Sequence, residues 1–115
     1  MQYVDSNTKV FQAGGALGQY LRVKLVAGVL ALAGAADIEL GVMLQAAFAA
    51  GDRKSVMLRN KQGTMPMVAV GAIAAGAVVY TDANGQVGTT NTNTRIGVAI
   101  TAASGAGSIL EVLRD

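Results

Sequence analysis

Seven carboxylates (Asp5, Asp37, Glu39, Asp52, Asp82, Glu111 and Asp115) are the residues of this 115-residue chain best suited to acid–base chemistry. A glycoside hydrolase would need two of them facing each other across a cleft. Asp37 and Glu39 stand two apart, which on a strand sends both to the solvent face. Asp82 heads Asp82-Ala83-Asn84-Gly85, where its side chain suits a turn by accepting backbone N–H bonds. The same tetrad opens like a calcium loop, but the later ligands, including the closing glutamate, are missing. The chain has no Cys and no His. That removes Cys-His and Ser-His-Asp catalysis, and with them the common zinc, copper and haem sites. No catalytic residue, cofactor, metal or small-molecule substrate is expected.

Two glycine-rich runs, Gly14-Gly15-Ala16-Leu17-Gly18 and Gly71-Ala72-Ile73-Ala74-Ala75-Gly76, invite comparison with phosphate-binding loops. Neither ends in the Gly-Lys-Ser/Thr that puts a lysine and a hydroxyl on a nucleotide. No helix follows whose N-terminus could hold an anion. Both read as turns. Nine basic and seven acidic residues leave a net charge of +2, dispersed apart from Arg22/Lys24 and Arg53/Lys54. Nucleic-acid binding, which needs a dense basic face with interleaved aromatics, is not expected. Asp52-Arg53-Lys54 reads as a solvated loop or strand entrance.

Met1–Ser6 lacks the basic start and apolar run of a secretory leader, so no export signal is expected. The uncharged stretch Gln62–Thr81 is long enough to cross a bilayer as a helix. Pro66, Gly71 and Gly76, with the clusters Val68/Val70 and Val78/Val79, instead predict strand–loop–strand. No membrane association is expected.

The chain repeats itself. Ile38–Asn60 and Thr94–Asp115 align at a spacing of about 56 residues. Leu40-Gly41-Val42 falls on Ile96-Gly97-Val98, Leu44 on Ile100, Ala46-Ala47 on Ala102-Ala103, and Gly51 on Gly107. A one-residue slip then places Met57-Leu58-Arg59-Asn60 on Val112-Leu113-Arg114-Asp115. Two copies are too few for a solenoid. They predict one domain of two similar halves, about 11–60 and 61–115, behind an N-terminal arm at 1–10.

Within the halves, Leu21, Val23 and Leu25 alternate with Arg22 and Lys24, the period of a half-buried strand. Ile38, Leu40, Val42 and Leu44 likewise alternate with Glu39, Gly41, Met43 and Gln45. Asn84-Gly85 between β-rich runs marks a hairpin, since both residues accept positive φ. Pro66 puts its strand at an edge or a bulge. Nine or ten short strands emerge, with little or no helix. The expected class is all-β, a small β-barrel or sandwich. Alanine, usually depleted from strands, sits mostly beside glycine in the loops.

Two surfaces invite a binding role. The polar, strand-compatible segment Gln2, Tyr3, Val4, Asp5, Ser6, Asn7, Thr8, Lys9 and Val10 lies outside both repeats and could add a strand to a partner's sheet edge. Met65 and Met67 share one strand face. They fill the core, or they form an apolar patch for a neighbouring subunit. With 52% apolar residues, oligomerisation is the physical outlet for surface a small domain cannot hide.

The run Ile73–Val87, then Ile96-Gly97-Val98-Ala99, Ala102-Ala103 and Leu110-Glu111-Val112, resembles the capsid decoration (cement) proteins of tailed bacteriophages. It follows that family's "AG…VY.D..G.V" hairpin, Thr-rich loop, "IGVA", "AA..G" and final strand, mainly over Gly71–Asp115. Ala77 departs from the family's usual Asp, which leaves the hairpin intact. The resemblance implies a β-tulip-like domain and a role similar to the lambda head decoration protein. It further implies a homotrimer, made in the bacterial cytoplasm, that binds major capsid protein on the outer surface of the expanded head and stabilises it. A head-fibre or tail-tube β-module is the alternative, and a carbohydrate-binding β domain a weaker one, with no Trp and only Tyr3, Tyr20, Tyr80, Phe11 and Phe48 to stack on a sugar.

Overall fold

A computed structural model describes residues 8–59 and 63–115. Ten strands form: β1 (Thr8–Gln12), β2 (Arg22–Val26), β3 (Val29–Leu32), β4 (Gly41–Met43), β5 (Arg53–Leu58), β6 (Thr64–Val68), β7 (Val78–Thr81), β8 (Val87–Gly88), β9 (Arg95–Ala99) and β10 (Ile109–Arg114). The only helical element among the described residues is one 3-10 turn, Ala83–Gly85, inside the expected Asn-Gly hairpin. Asn84 and Gly85 both adopt positive φ there, 59° and 74°, as the dipeptide predicts. No helix among the described residues is long and apolar enough to cross a membrane. Gln62–Thr81 is strand–loop–strand across its described part.

The strands make two five-stranded antiparallel sheets, ordered β1-β5-β4-β2-β3 and β6-β10-β9-β7-β8. The two orders are the same order. β1 and β6 lie 56 residues apart, as do β5 and β10, and register agrees pair by pair. Gln12↔Arg53 in one sheet answers Val68↔Ile109 in the other. Met43↔Val56 likewise answers Ala99↔Val112. The spacing therefore stays at 56 to the end of β10, and the one-residue slip expected from the sequence does not occur. Val56, not Met57, is the counterpart of Val112. Arg114-for-Leu58 is a real difference between the halves, not a displaced match.

Each sheet curls until its edges approach at a single parallel bridge, Ala13↔Leu30 in the first and Ala69↔Val87 in the second. One bridge does not close a barrel, so the all-β expectation resolves to a sandwich. The first sheet lies between two apolar layers. One face presents Val23, Met43 and Val56 to a cluster with Ala13, Leu17, Leu30 and Ala47. From the other face, Val42 and Met57 enter the core that Met65, Met67, Val79, Ile96, Leu110 and Val112 build on the second sheet.

That placement overturns four assignments of residues to faces. Arg22 and Glu39 were expected on solvent faces, and both are buried. Met43, expected on a polar face, is fully buried. Leu25, expected inward, is exposed. A period-2 pattern assumes one wet face, and here the second half covers the outer face of the first sheet where β2, β4 and β5 meet, while Met43 is buried on the opposite face in the first half's own cluster.

One glycine in each half is dictated by close approach. A Cβ on Gly41 would collide with the carbonyl oxygen of Met57, and one on Gly97 with that of Leu113. No side chain fits where the ladder bends so tightly. We expect Gly41→Ala and Gly97→Ala each to cost about 1–3 kcal/mol by overpacking. Gly105→Ala, where nothing lies within 4 Å, should stay within about 0.5 kcal/mol. Urea denaturation of the three variants checks the contrast.

Candidate functional site

The joint between the halves carries the chain's buried charge, and it fixes which faces remain for partners. Arg22 begins β2 because its strand neighbours Val23 and Leu25 carry the β pattern, yet its own side chain enters the joint. Its guanidinium donates to four backbone carbonyls: Asp82 O at 2.7 Å, Gln86 O at 3.1 Å, and Asp37 O and Gly34 O at 3.3 Å. Two acceptors belong to each half. Burial lowers its pKa, and the nearby carboxylates of Glu39 and Asp37 oppose that shift. A planar fork of five donors can satisfy several carbonyls at once, which a lysine cannot. The loop of the 3-10 turn closes over it, with Gly85 N donating to Ala33 O and Thr81 Oγ1 donating to Ala35 O.

Beside it, Arg114 Nε meets Glu39 Oε2 at 2.7 Å, with Glu39 shielded from solvent. Arg114 Nη1 also donates to Ile96 O. The expected solvent-facing pair Asp37/Glu39 is thus divided. Glu39 serves the joint, while Asp37 accepts from Lys24 Nζ and Gly34 N at 2.8 and 2.7 Å. Asp82 accepts from Ala83 N as a turn cap, and Asp52 from Phe48 N and Ala49 N. No cluster of three or more Asp or Glu suited to a metal exists among the described residues. Asp52 and Asp82 are spent on turns and Glu39 on the joint, while Asp115 pairs with Arg95 at the surface.

Met65 and Met67 are both fully buried and belong to the core of the second sheet. This corrects the oligomer-interface expectation for these two residues. Alternation put them correctly on one face of β6, but Val42 and Met57 of the same chain cover it. Thr8, Lys9 and Val10, expected in a free arm, form the first part of β1 and pair with Met57, Val56 and Ser55. Gln2, Tyr3, Val4, Asp5, Ser6 and Asn7 lie outside the described residues. β1 is an edge of its sheet, and Lys9 and Val10 are exposed.

The exposed apolar residues fall elsewhere than expected. Phe48, at 82% exposure, tops the loop between β4 and β5. Leu25, Val26 and Ile38 lie on the first half, and Ile100, Ile109 and Leu113 on the outer face of the second sheet. A cleft of about 360 Å³ is lined by Lys24, Leu25, Ile38, Glu39, Leu40 and Arg59. Exposure of this kind depends on what covers each strand, so strand pattern could not locate it. The sequence pairs Ile100 with Leu44, but it aligns Leu113 with Leu58, and only the strand register places Leu113 at the position of Met57 in the repeat.

Removing Arg114 strands the Glu39 carboxylate in the joint. Arg114→Ala should cost about 3–5 kcal/mol, while the double replacement Glu39→Met/Arg114→Met should cost far less or nothing. Chemical denaturation of both proteins separates the cases. Acid should act on a different pair. Asp37 is held below its usual pKa first by the Lys24 hydrogen bond, and Asp115 by that from Arg95. A carboxyl with a depressed folded pKa contributes stability above its unfolded value, and that stability disappears as pH falls through the folded one. Stability should therefore be flat above about pH 5 and decline below about pH 4. Asp37→Asn/Asp115→Asn should show a shallower decline in pH-dependent melting curves.

No curated protein matches the chain. A family model described as phage cement protein matches residues 12–114, nearly the whole of the two-sheet unit. The matched span starts at the end of β1 and includes both copies of the repeat, the joint and both conserved-geometry glycines, Gly41 and Gly97. The chain therefore belongs to the phage cement protein family.

Proposed function

We propose that this protein binds the outer surface of an expanded phage head and stabilises it by bridging neighbouring major capsid subunits, without catalysing a reaction. Membership of the cement family gives it a structural, capsid-associated role. The position of β1 supports the finer reading. It is the edge of the first sheet, it is exposed at Lys9 and Val10, and residues 1–7 lead directly into it. An edge strand extended by a polar, strand-compatible segment is suited to adding a strand to another protein's sheet.

A ligand that binds the expanded shell but not its dissociated subunits stabilises the shell by mass action, RT ln(1 + [L]/Kd) per site. A homotrimer touching several capsid subunits gains further by avidity, because its second and third contacts form at high effective concentration. Folding and capsid binding would then be separable. The two-sheet unit supplies rigidity, and the leading segment supplies attachment.

Deleting residues 1–7 tests the reading. The truncated protein should keep its β-sheet circular dichroism and melting transition, while co-sedimentation with expanded capsids falls at least about tenfold, the equivalent of roughly 1.4 kcal/mol. Full-strength binding by the truncated protein would overturn the role of this segment.

A further inference from the structure

Asn84-Gly85 is the chain's one Asn-Gly pair, and its chemistry extends beyond the turn it makes. An asparagine before glycine is prone to lose its side-chain amide, because glycine leaves the next backbone nitrogen sterically open. The Gly85 amide gives up its proton to hydroxide and attacks Asn84 Cγ. An N–C bond closes a five-membered succinimide, the Cγ–Nδ2 bond breaks, and Nδ2 leaves as ammonia with a proton from water. Water then opens the ring at either carbonyl. One product is aspartate, and the other is isoaspartate, in which the main chain runs through the former side chain. No oxidant, metal or enzyme takes part.

The folded chain holds the two reacting groups apart. Ring closure needs the Gly85 nitrogen eclipsed with Asn84 Cβ about the Cα–C bond. At the observed ψ of 34° the nitrogen lies nearly opposite Cβ. Its N–H is also committed across the joint, donating to Ala33 O at 2.8 Å. Rotating into line means giving up that bond in a tight place. Gly85 is buried, and a Cβ on it would sit 2.8 Å from Arg22 O. Asn84 itself is exposed, so water and hydroxide reach its amide. The reaction is therefore withheld from one side only, by the grip of the joint on the nitrogen. The matching hairpin of the first half closes on Ala27 and Gly28, both at positive φ, with no amide side chain. A turn at this place in the repeat does not require an asparagine.

We propose that Asn84 is a deamidation site gated by the joint, so that opening between the halves lets it undergo an irreversible change. The consequence falls on Arg22. Asp82 O and Gln86 O, its two acceptors from the second half, flank Asn84-Gly85. Isoaspartate at position 84 lengthens the main chain by one carbon between them, and the two carbonyls then no longer suit one guanidinium. A transient opening thereby becomes a permanent weakening of the joint. The inference rests on the joint alone and is independent of capsid binding.

Peptide mass spectrometry of the full chain held in mildly alkaline buffer tests this, reading the amide-to-acid mass gain at Asn84. A reaction that needs local opening tracks the open population, so the folded wild type should deamidate at least about tenfold more slowly than the same chain unfolded in urea. Thr81→Val removes the hydroxyl that donates to Ala35 O, and Arg114→Ala removes the partner of Glu39. Each should raise the folded rate at least about threefold, while Gly105→Ala should leave it unchanged. Circular dichroism shows which variants are folded, and Thr81→Val carries the comparison should Arg114→Ala unfold. The isolated isoaspartate form should melt below Asn84→Asp, which carries the same charge without the longer main chain. Equal rates in the folded and unfolded chain, a folded Thr81→Val that reacts no faster than wild type, or an isoaspartate form that melts with Asn84→Asp would each overturn the proposal.

Discussion

The buried guanidinium of Arg22 is the constraint around which the two halves are arranged. Its acceptors are backbone carbonyls from three separate segments (residues 34–37, Asp82 and Gln86), so it fixes loop positions and not merely a pair of side chains. An arginine taken out of water must have its donors met, or the uncompensated charge costs several kcal/mol. No buried side-chain nitrogen or oxygen among the described residues lacks a partner. The joint is therefore specific as well as apolar: Val42 and Met57 supply the burial, while Arg22 and the Glu39–Arg114 pair admit one orientation.

This asymmetry is what makes a repeated chain into a single domain. Had the halves been related by a two-fold, each would have covered the same face of the other. Instead the first sheet offers its outer face and the second its concave face. Differences between the copies gather where this matters. Arg22 faces Val78, Glu39 faces Arg95, and Leu58 faces Arg114 across the 56-residue spacing, whereas the positions that only shape a half, Gly41 and Gly97 among them, are unchanged. A two-sheet block of this kind is rigid, since close-packed interiors deform little.

Much of the fold was legible in the sequence because it depends on local rules. Asn84-Gly85 announced its turn through the rarity of positive φ, Pro66 its edge strand through the missing N–H, and the 56-residue echo the identity of the two sheets. The absence of Cys and His in the composition set aside whole classes of chemistry before any strand was placed. What the sequence could not determine was sidedness at the joint. Arg22 alternates with apolar neighbours as a solvent-facing residue would, and Met65 and Met67 share a face as an exposed patch would. Only the stacking of one sheet on the other put Arg22, Glu39, Met65 and Met67 inside and left Leu25, Ile100 and Leu113 outside. Periodicity records that a strand has two faces. Which of them stays dry is decided by the element that covers it, through contacts that reach as far along the chain as Glu39 to Arg114.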